Sequence, residues 1–422
     1  MWQDIYRRSI NIWSLVSSRF YMSATILLRL AVSFVTFTLL ARSLGPSEFG
    51  IYASALAYAA LIGLVSDFGL PLKVLRDVGA DREHAASILA EALWIKGAIA
   101  LVLLAIAMVV AHHAFRGLQV FAVILLLVGT AIGTVGDLIM ATFRGLGQFH
   151  RETRIVTWTS FVQAGFIAFV CLMNFGMVYA AAAYCIARLL YCAVAVMSVT
   201  SQVGQLPLSA NFRSLIARAK ASVTFAVDSV LGNLSTQLDV ILVAHILGAT
   251  VAGIYQAGGR PLQIALGLSG VPLNVHLPKL SGMIASGDPK AGQFMRRMVI
   301  EWAAIGAIGA ISFVVIGPIY VRLLLGSAYT SLNALWPGFA ALVFVRYLVG
   351  PFGVILMVRN EMKFRIAGQA LASIVFAAAV GVWSKGMGLT SVPWFGVLGT
   401  VAMLILYLFG VRAQKTGALG KS

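Results

Sequence analysis

Twelve apolar stretches of about 20 or more residues recur along this chain, and short polar segments separate them. A helix of about 20 residues crosses the hydrocarbon core of a bilayer, so each stretch predicts a membrane span. We place the spans near residues 20–43, 49–72, 87–111, 118–141, 155–174, 177–199, 221–247, 251–276, 297–321, 333–358, 364–383 and 391–411. The fifth and sixth are divided only by Asn174–Gly176. Charged residues make up 11% of the chain, whereas soluble domains hold about a quarter, so we predict an all-α polytopic membrane protein.

The distribution of positive charge predicts the orientation of these spans. Twenty-two of the 31 Lys and Arg residues lie in alternate segments, beginning with the segment that precedes the first span. The opposite loops hold only Arg42, Arg116, Arg322 and Lys385. Because basic residues concentrate on the cytoplasmic side of a membrane, we expect both termini to be cytoplasmic.

The charge pattern also divides the chain into two halves of the same orientation. Six spans precede the cytoplasmic segment near 200–220 and six follow it, which predicts a parallel repeat about an axis along the membrane normal. We expect an interfacial helix over 1–19, a six-helix bundle over 20–199, a linker over 200–220, a second bundle over 221–411 and a cytoplasmic tail over 412–422.

A repeated hairpin supports the two halves. Leu40–Tyr52 and Val243–Tyr255 lie 203 positions apart and share six identical residues, although chance similarity between two apolar hairpins is the alternative. Gly45 followed by Pro46 is typical of a helix end and a new helix start, and Gly50 and Gly253 would let helices approach closely. The charge count puts both copies on the periplasmic side. The predicted periplasmic gate comprises Arg42, Gly45, Gly50, His245, Gly248 and Gly253.

Several function classes lack any sequence signal. The chain has no GxxxxGK[ST] phosphate loop, no metal-ligand spacing and no stretch long enough for a soluble catalytic domain. Its three cysteines, Cys171, Cys185 and Cys192, lie in apolar segments and are expected to be buried thiols. We therefore predict no enzyme activity, no catalytic residues, no metal site, no cofactor and no nucleic-acid partner.

Ionisable residues inside spans are costly and usually face a polar cavity or a partner. Arg29, Arg188, Arg260 and Arg346 lie deep in four different spans and predict a cationic cavity for an anionic substrate such as a phosphate or pyrophosphate group. The alternative is structural ion pairs with Asp228 or Asp239. A second set lies near cytoplasmic span ends, where snorkelling or pairing with loop charges is expected: Asp67, Glu91, Lys96, Asp137 and Glu301.

Two acids are candidates for ion coupling. Asp239 lies near the middle of the seventh span and could bind Na⁺ or exchange a proton, with Asp228 in the same span as a second candidate. A salt bridge or hydrogen bond that holds the span is the equal alternative for Asp239. Pro261 and Pro272 predict a kink in the eighth span, and His245 is expected to be a polar group at a span end rather than a proton relay.

Four motifs together resemble a known family. They are Leu40–Tyr52, the turn Asp67-Phe68-Gly69-Leu70, the loop Phe143–Phe149, and Asp239 followed by Leu247-Gly248, Gly253-Ile254-Tyr255 and Pro278-Lys279-Leu280. Their order and spacing resemble the Wzx-type polysaccharide and O-antigen flippases of the multidrug/oligosaccharidyl-lipid/polysaccharide (MOP) superfamily. The likeness covers about residues 20 to 411.

The resemblance implies a MATE-like pair of six-helix bundles around a central cavity, in a bacterial inner membrane. It implies that the substrate is an undecaprenyl-pyrophosphate-linked oligosaccharide, moved from the cytoplasmic to the periplasmic leaflet for surface polysaccharide synthesis. Membrane lipids, a polysaccharide polymerase and glycosyltransferases would be partners. A MATE-type drug or cation antiporter is the alternative, which would use Asp228 and Asp239, and a membrane glycan polymerase or ligase is a third interpretation that the short outer loops disfavour.

Overall fold

A computed structural model describes residues 2–114, 117–207 and 237–418, and every regular element in these ranges is helical. The helices are α1 (Trp2–Asp67), α2 (Leu70–Ala80), α3 (Ala85–Ala114), α4 (Leu118–Gly145), α5 (Phe149–Leu172), α6 (Met177–Val203), α7 (Gln237–Leu247), α8 (Ala249–Gly267), α9 (Gly270–Ala285), α10 (Ala291–Tyr320), α11 (Trp336–Val358), α12 (Met362–Met387) and α13 (Val392–Ala418). A π turn (Val321–Leu325) and two 3₁₀ segments (Ser327–Leu335 and Leu389–Ser391) connect the later helices.

Most predicted span boundaries within the described ranges lie close to helix ends, whereas the start of the seventh span (221–247) and most of the linker over 200–220 lie outside the described residues. α1 is interrupted at Gly45, whose φ of 70° is left-handed, so Pro46 begins a new helix in the way that the sequence predicts. α5 and α6 separate at Asn174–Gly176, where Asn174 and Gly176 both have positive φ. Within the described ranges, nine helical segments are long and apolar enough to cross a membrane, and the first of them, Leu30–Ala80, contains the break at Gly45.

Two predicted spans end earlier than expected. The second ends at Asp67 rather than near 72, because Phe68 and Gly69 both adopt positive φ. The eighth ends at Gly267, and Leu268 and Ser269 separate it from α9. The short helices that follow these breaks open on similar residues, Leu70-Pro71-Leu72 in α2 and Val271-Pro272-Leu273 in α9. The internal repeat therefore extends from the hairpins to the helix breaks after them.

The outward faces of the long helices are apolar, as lipid contact requires. On α3 the exposed side chains include Leu101 at 70% and Val109 at 60%. On α10 they include Ile308 at 67% and Ile311 at 63%. Continuous exposed apolar surface of this kind is rare on soluble proteins. The fold is an all-α polytopic membrane protein.

The chain divides into two compact units. The first unit is Met1–Leu44 with Ala55–Val230, and the second is Gly45–Ser54 with Leu231–Ser422. In the first unit, α4 packs on α6 through Gly129, Gly133 and Gly136, which lie against Tyr184, Arg188 and Tyr191 respectively. Small residues at this spacing allow close helix approach in membranes. An apolar core that includes Leu89, Leu138 and Phe143 lies beside this seam.

In the second unit, α10 packs on α11, and α11 and α12 both pack on α13. Its core includes Val349, Leu356, Met403 and Tyr407. The segment Gly45–Ser54, which follows the break in α1, belongs to this unit because it packs against the start of α8. These helices surround the cavity described next.

Candidate functional site

The second unit contains a cavity of about 650 Å³ lined by residues of α7 to α13. Its wall holds three charged side chains, Asp239, Arg346 and Arg365. The uncharged polar groups are the amides Gln237, Gln263 and Gln369 and the hydroxyls Ser269, Ser373 and Thr400. Four large aromatic side chains complete the polar part of the wall: Tyr255, Trp302, Tyr347 and Tyr407. The wall therefore combines a net positive charge with hydrogen-bonding groups and aromatic surfaces.

Arg346 is the cation that the deep part of α11 contributes to this wall. Its Nε atom is buried and has no hydrogen-bond partner among the described residues. A buried donor without a partner is destabilising, because it has lost its hydrogen bonds to water. A ligand atom that accepts from this donor therefore forms a hydrogen bond without displacing another partner. Asp239 and Tyr255 are close enough to interact electrostatically with Arg346. The guanidinium thus retains unused donor capacity beside the cavity.

Asp239 is already hydrogen-bonded on both carboxylate oxygens. Its Oδ1 accepts the backbone N–H of Val240 at 2.8 Å, and its Oδ2 accepts the hydroxyl of Tyr255 at 3.4 Å. The Tyr255 ring is buried and lies 5.6 Å from the ring of Phe339, which fixes its hydroxyl toward α7. The arrangement joins α7 to α8 and orients the carboxylate in the cavity wall.

Arg365 is the second cation of the cavity and lies in the first turn of α12. Its backbone carbonyl accepts the hydroxyl of Tyr407 at 3.1 Å. A methyl group at Gly368 would overlap the Tyr407 ring, so the ring can pack beside Arg365 only because residue 368 is a glycine. Gln369 and Ser373 continue the same face of α12 one and two turns later. One helix therefore contributes a cation, an amide and a hydroxyl to the wall.

The first unit holds a separate buried charge network. Lys96 on α3 is fully buried and forms an ion pair with Asp67 at the end of α1. Asp137 on α4 accepts the hydroxyl of Tyr191 at 2.9 Å. Arg188 on α6 lies 5.1 Å from the centre of the Tyr184 ring, an ordinary cation–π distance. These contacts lie within the first unit, where the buried Nε of Arg188 has no hydrogen-bond partner among the described residues.

The amino-acid sequence matches a known protein family. A family described as polysaccharide biosynthesis protein matches residues 15–284, which is more than half of the chain. The chain belongs to this family. No curated protein matches it in sequence.

Solved structures of the MOP superfamily share the fold of this family member. An inward-facing multidrug resistance MATE family transporter is 14% identical, and the match covers 96% of this chain and 99% of that chain with a TM-score of 0.73. The lipid II flippase MurJ, in an inward closed conformation, is 12% identical over 93% of this chain and 87% of that chain, with a TM-score of 0.75. A MOP superfamily transporter from Pyrococcus furiosus is 15% identical over 96% and 97% of the two chains, with a TM-score of 0.59.

Four arginines are predicted to form one cationic cavity, and of the three whose side chains the structure describes, Arg346 alone lines the second-unit cavity. Arg260 lies outside it and donates to Gln263 Oε1 at 3.0 Å, which does line it. Arg188 belongs to the first unit, near Asp137. The Arg29 side chain and the whole of Asp228 lie outside the described residues.

The predicted gate residues occupy the two hairpins. Gly45 and Gly248 have positive φ at the hairpin turns, and Gly50 and Gly253 are buried. Arg42 and His245 are exposed side chains next to these turns. Their role as a gate stays a prediction.

One expectation about the charges near span ends is wrong. Lys96 neither snorkels nor pairs with a loop charge, because its ammonium group is enclosed and bound to Asp67 of another helix. Glu301, by contrast, pairs with Arg297 one turn earlier on α10, as expected for a group near a span end.

Sequence reasoning missed Arg365 and His276. Arg365 follows a cluster of basic residues, so the charge pattern alone assigns it to a cytoplasmic segment. Its periodicity with Gln369 and Ser373 is the signal that could have identified a polar helix face. His276 is a single buried histidine whose partners lie 25 and 26 residues later, so no local spacing reveals it.

Proposed function

We propose that this protein is a flippase for a lipid-linked oligosaccharide that carries a pyrophosphate group. On this proposal it moves the head group from the cytoplasmic to the periplasmic leaflet of a bacterial inner membrane, for surface polysaccharide synthesis. The polyisoprenoid tail stays in the lipid. Membrane lipids, glycosyltransferases and a polysaccharide polymerase would be its working partners. Its membership of the polysaccharide biosynthesis protein family and its flippase-like fold support this proposal.

The observation that carries the proposal is the unpartnered Arg346 Nε in a wall that also holds Arg365. Two guanidinium groups against one carboxylate leave the wall net positive. Guanidinium groups match phosphate oxygens in geometry and remain charged under all physiological conditions. A pyrophosphate would give Arg346 the acceptor that the described residues do not supply.

The remaining wall suits a carbohydrate. Sugar hydroxyls need donors and acceptors in close alternation, which Gln237, Gln263 and Gln369 provide through both ends of their amide groups. Aromatic faces, here Trp302 and Tyr347, offer apolar surface for the C–H face of a sugar ring. A volume of about 650 Å³ is within the usual range for small-ligand pockets. It accommodates a pyrophosphate with its first sugars rather than a long glycan.

A drug or organic-cation antiporter is the second candidate, favoured by Asp239 in the cavity wall. Such a site needs a carboxylate free to hold a cation. Both oxygens of Asp239 already accept hydrogen bonds. Arg346, which interacts electrostatically with Asp239, would repel a cationic substrate bound there. The two cations of the wall therefore disfavour a cationic substrate.

The test is a flipping assay in proteoliposomes with a fluorescent polyprenyl-pyrophosphate disaccharide. The comparison substrate has the same polyprenyl chain and disaccharide joined by a neutral glycosidic link. We expect flipping of the pyrophosphate substrate only, and a fall of about tenfold or more in Arg346→Ala, since hydrogen bonds to charged groups contribute about 1.5–3 kcal/mol. Arg296→Ala is the matched control because Arg296 is an exposed arginine outside the cavity.

Equal flipping of both substrates, or undiminished flipping in Arg346→Ala, would contradict the proposal. Efflux of an organic cation that depends on Asp239 and is unchanged by Arg346→Ala would support the antiporter instead.

A further inference from the structure

His276 on α9 occupies an unusual hydrogen-bonding position at the edge of the second-unit cavity. The side chain is buried, at 7% exposure, and its ring contacts the rings of Phe294 and Trp302. Its Nε2 atom is 2.9 Å from Oε2 of Glu301 on α10. Its Nδ1 atom is 2.7 Å from the carbonyl oxygen of Pro272 and 3.3 Å from Nε1 of Trp302. The two neighbours of Nδ1 require opposite protonation states of that atom.

The carbonyl of Pro272 only accepts a hydrogen bond, whereas the indole N–H of Trp302 only donates one. When the imidazole is neutral, Nε2–H donates to Glu301 and the Nδ1 lone pair accepts from Trp302. The Pro272 oxygen then faces that lone pair without a proton between them. When the imidazole is protonated, Nδ1–H donates to Pro272 and Nε2–H to Glu301, and Trp302 loses its acceptor. Each charge state therefore satisfies one neighbour at the expense of the other.

Charged and titratable groups from three helices surround His276. Glu301 accepts from His276 and, through Oε1, from Arg297 Nε at 2.8 Å. Lys279, on the same helix as His276, is exposed and lies 5.0 Å from the Phe294 ring. From α11 the facing group is Tyr347, whose ring lies 6.1 Å from Trp302 and whose hydroxyl donates to the carbonyl of Ala265 at 2.7 Å. The carboxylate of Glu301 is the direct charged partner of the imidazole.

Trp302 connects this site to the cavity. Its indole is buried, lines the cavity with Arg346 and Tyr347, and packs directly against Gly350 of α11. Because this contact leaves no room toward α11, a displacement of the indole would have to run along the cavity wall. α9 itself begins just after the break at Leu268 and Ser269, so the helix that carries His276 is joined to α8 by only two residues outside either helix.

We propose that His276 and Glu301 form a proton-binding site whose occupancy sets the position of the Trp302 indole in the cavity wall. Imidazole is the side chain that ordinarily changes its charge between about pH 5 and 8. Protonation turns the existing hydrogen bond between His276 and Glu301 into a charge-assisted one and removes the acceptor of the Trp302 N–H. Loss of the proton returns the Trp302 N–H to Nδ1. This inference does not depend on what the cavity carries.

The test is the intrinsic tryptophan fluorescence of the purified full chain in lipid nanodiscs, titrated from pH 5 to 8 without substrate. We expect a single transition that is lost in His276→Gln, which keeps a donor for Glu301 but cannot take up a proton. Trp302→Phe should also lose it, although seven of the eight tryptophans remain. In Glu301→Gln the transition should move to lower pH, because the imidazolium loses its carboxylate partner.

His245→Gln is the matched control, since His245 is an exposed histidine of the same unit. It should keep the parent transition. A transition that persists in His276→Gln, or a parent protein with no transition, would overturn the proposal. Should His276→Gln fail to yield a monodisperse protein, Trp302→Phe and Glu301→Gln decide the question, because a transition unchanged in both excludes the site.

Discussion

Gly50 and Gly253 lie against each other in the second unit, backbone to backbone. A methyl group on Gly50 would overlap the carbonyl oxygen of Ala249, and one on Gly253 would overlap that of Pro46. Both glycines are equivalent positions of the repeated hairpin, 203 residues apart. The contact is therefore reciprocal, because the glycine of each hairpin copy packs against the backbone of the other copy. No flexible side chain is present on either side to move away.

We expect Gly50→Ala and Gly253→Ala each to lower thermal stability, since overpacking costs about 1–3 kcal/mol and backbone atoms can relieve it only by separating the helices. The double variant should cost less than the sum of the two, because both methyl groups open the same contact. Size-exclusion chromatography after graded heating measures the effect. Gly97→Ala is the control, because a methyl group at Gly97 meets no neighbouring atom. Equal melting temperatures for all variants would show that the contact is not a stability determinant.

The sequence predicts the helices better than it predicts the site, and particular residues explain why. Gly45 and Asn174–Gly176 interrupt apolar runs with residues that tolerate positive φ, so the breaks are visible in advance. Phe68 also has positive φ, at 46°, yet nothing about phenylalanine signals it. Pro261 and Pro272 predict a kink in the eighth span: Pro261 lies within α8, whereas Pro272 lies in the first turn of α9, just after the break at Leu268 and Ser269. Tertiary packing decides a break such as the one at Phe68.

The candidate site was harder to predict because depth in a span does not say which face of a helix a charge occupies. Arg260 and Arg346 are both deep in spans, but Arg346 lines the cavity, whereas Arg260 lies outside it and donates through Nη1 to Gln263. Arg365 is near a span end and still reaches the cavity. Which arginine lines a cavity depends on helix rotation, and helix rotation depends on packing contacts between residues distant in sequence.

The buried pair Lys96–Asp67 predicts a non-additive pair of substitutions. Asp67→Asn leaves the fully buried Lys96 ammonium without its carboxylate partner, and such a loss costs about 3–5 kcal/mol. Replacing both partners, as Asp67→Asn with Lys96→Met, removes the uncompensated charge and should recover most of the lost stability. Thermal stability of the four proteins in the cycle measures this. A double variant as unstable as Asp67→Asn would indicate that the ion pair itself, rather than the orphaned charge, stabilises the first unit.

Gly350 and Gly353 predict opposite outcomes for the same substitution one turn apart on α11. A methyl group on Gly350 would overlap the Trp302 ring, whereas one on Gly353 would lie at an ordinary 3.5 Å from the Tyr407 ring. Both glycines line the cavity. We expect Gly350→Ala to displace Trp302, shift its fluorescence emission and weaken binding of inorganic pyrophosphate, measured by calorimetry. Gly353→Ala should leave both properties near those of the parent. Equal fluorescence and equal pyrophosphate binding in the two variants would contradict the packing of Trp302 against Gly350.

Asp239 provides the last prediction, because its charge affects binding and coupling in opposite directions. Asp239→Asn retains an Oδ1 acceptor for the Val240 N–H, so the local fold of α7 should persist. Removing a negative charge from a wall that holds Arg346 and Arg365 should tighten the binding of inorganic pyrophosphate. Substrate flipping under an imposed Na⁺ or proton gradient should nevertheless lose its gradient dependence if Asp239 is the coupling site. Asp288→Asn, in the turn before α10, is the control. A gradient dependence that survives in Asp239→Asn but disappears in His276→Gln would assign coupling to the histidine.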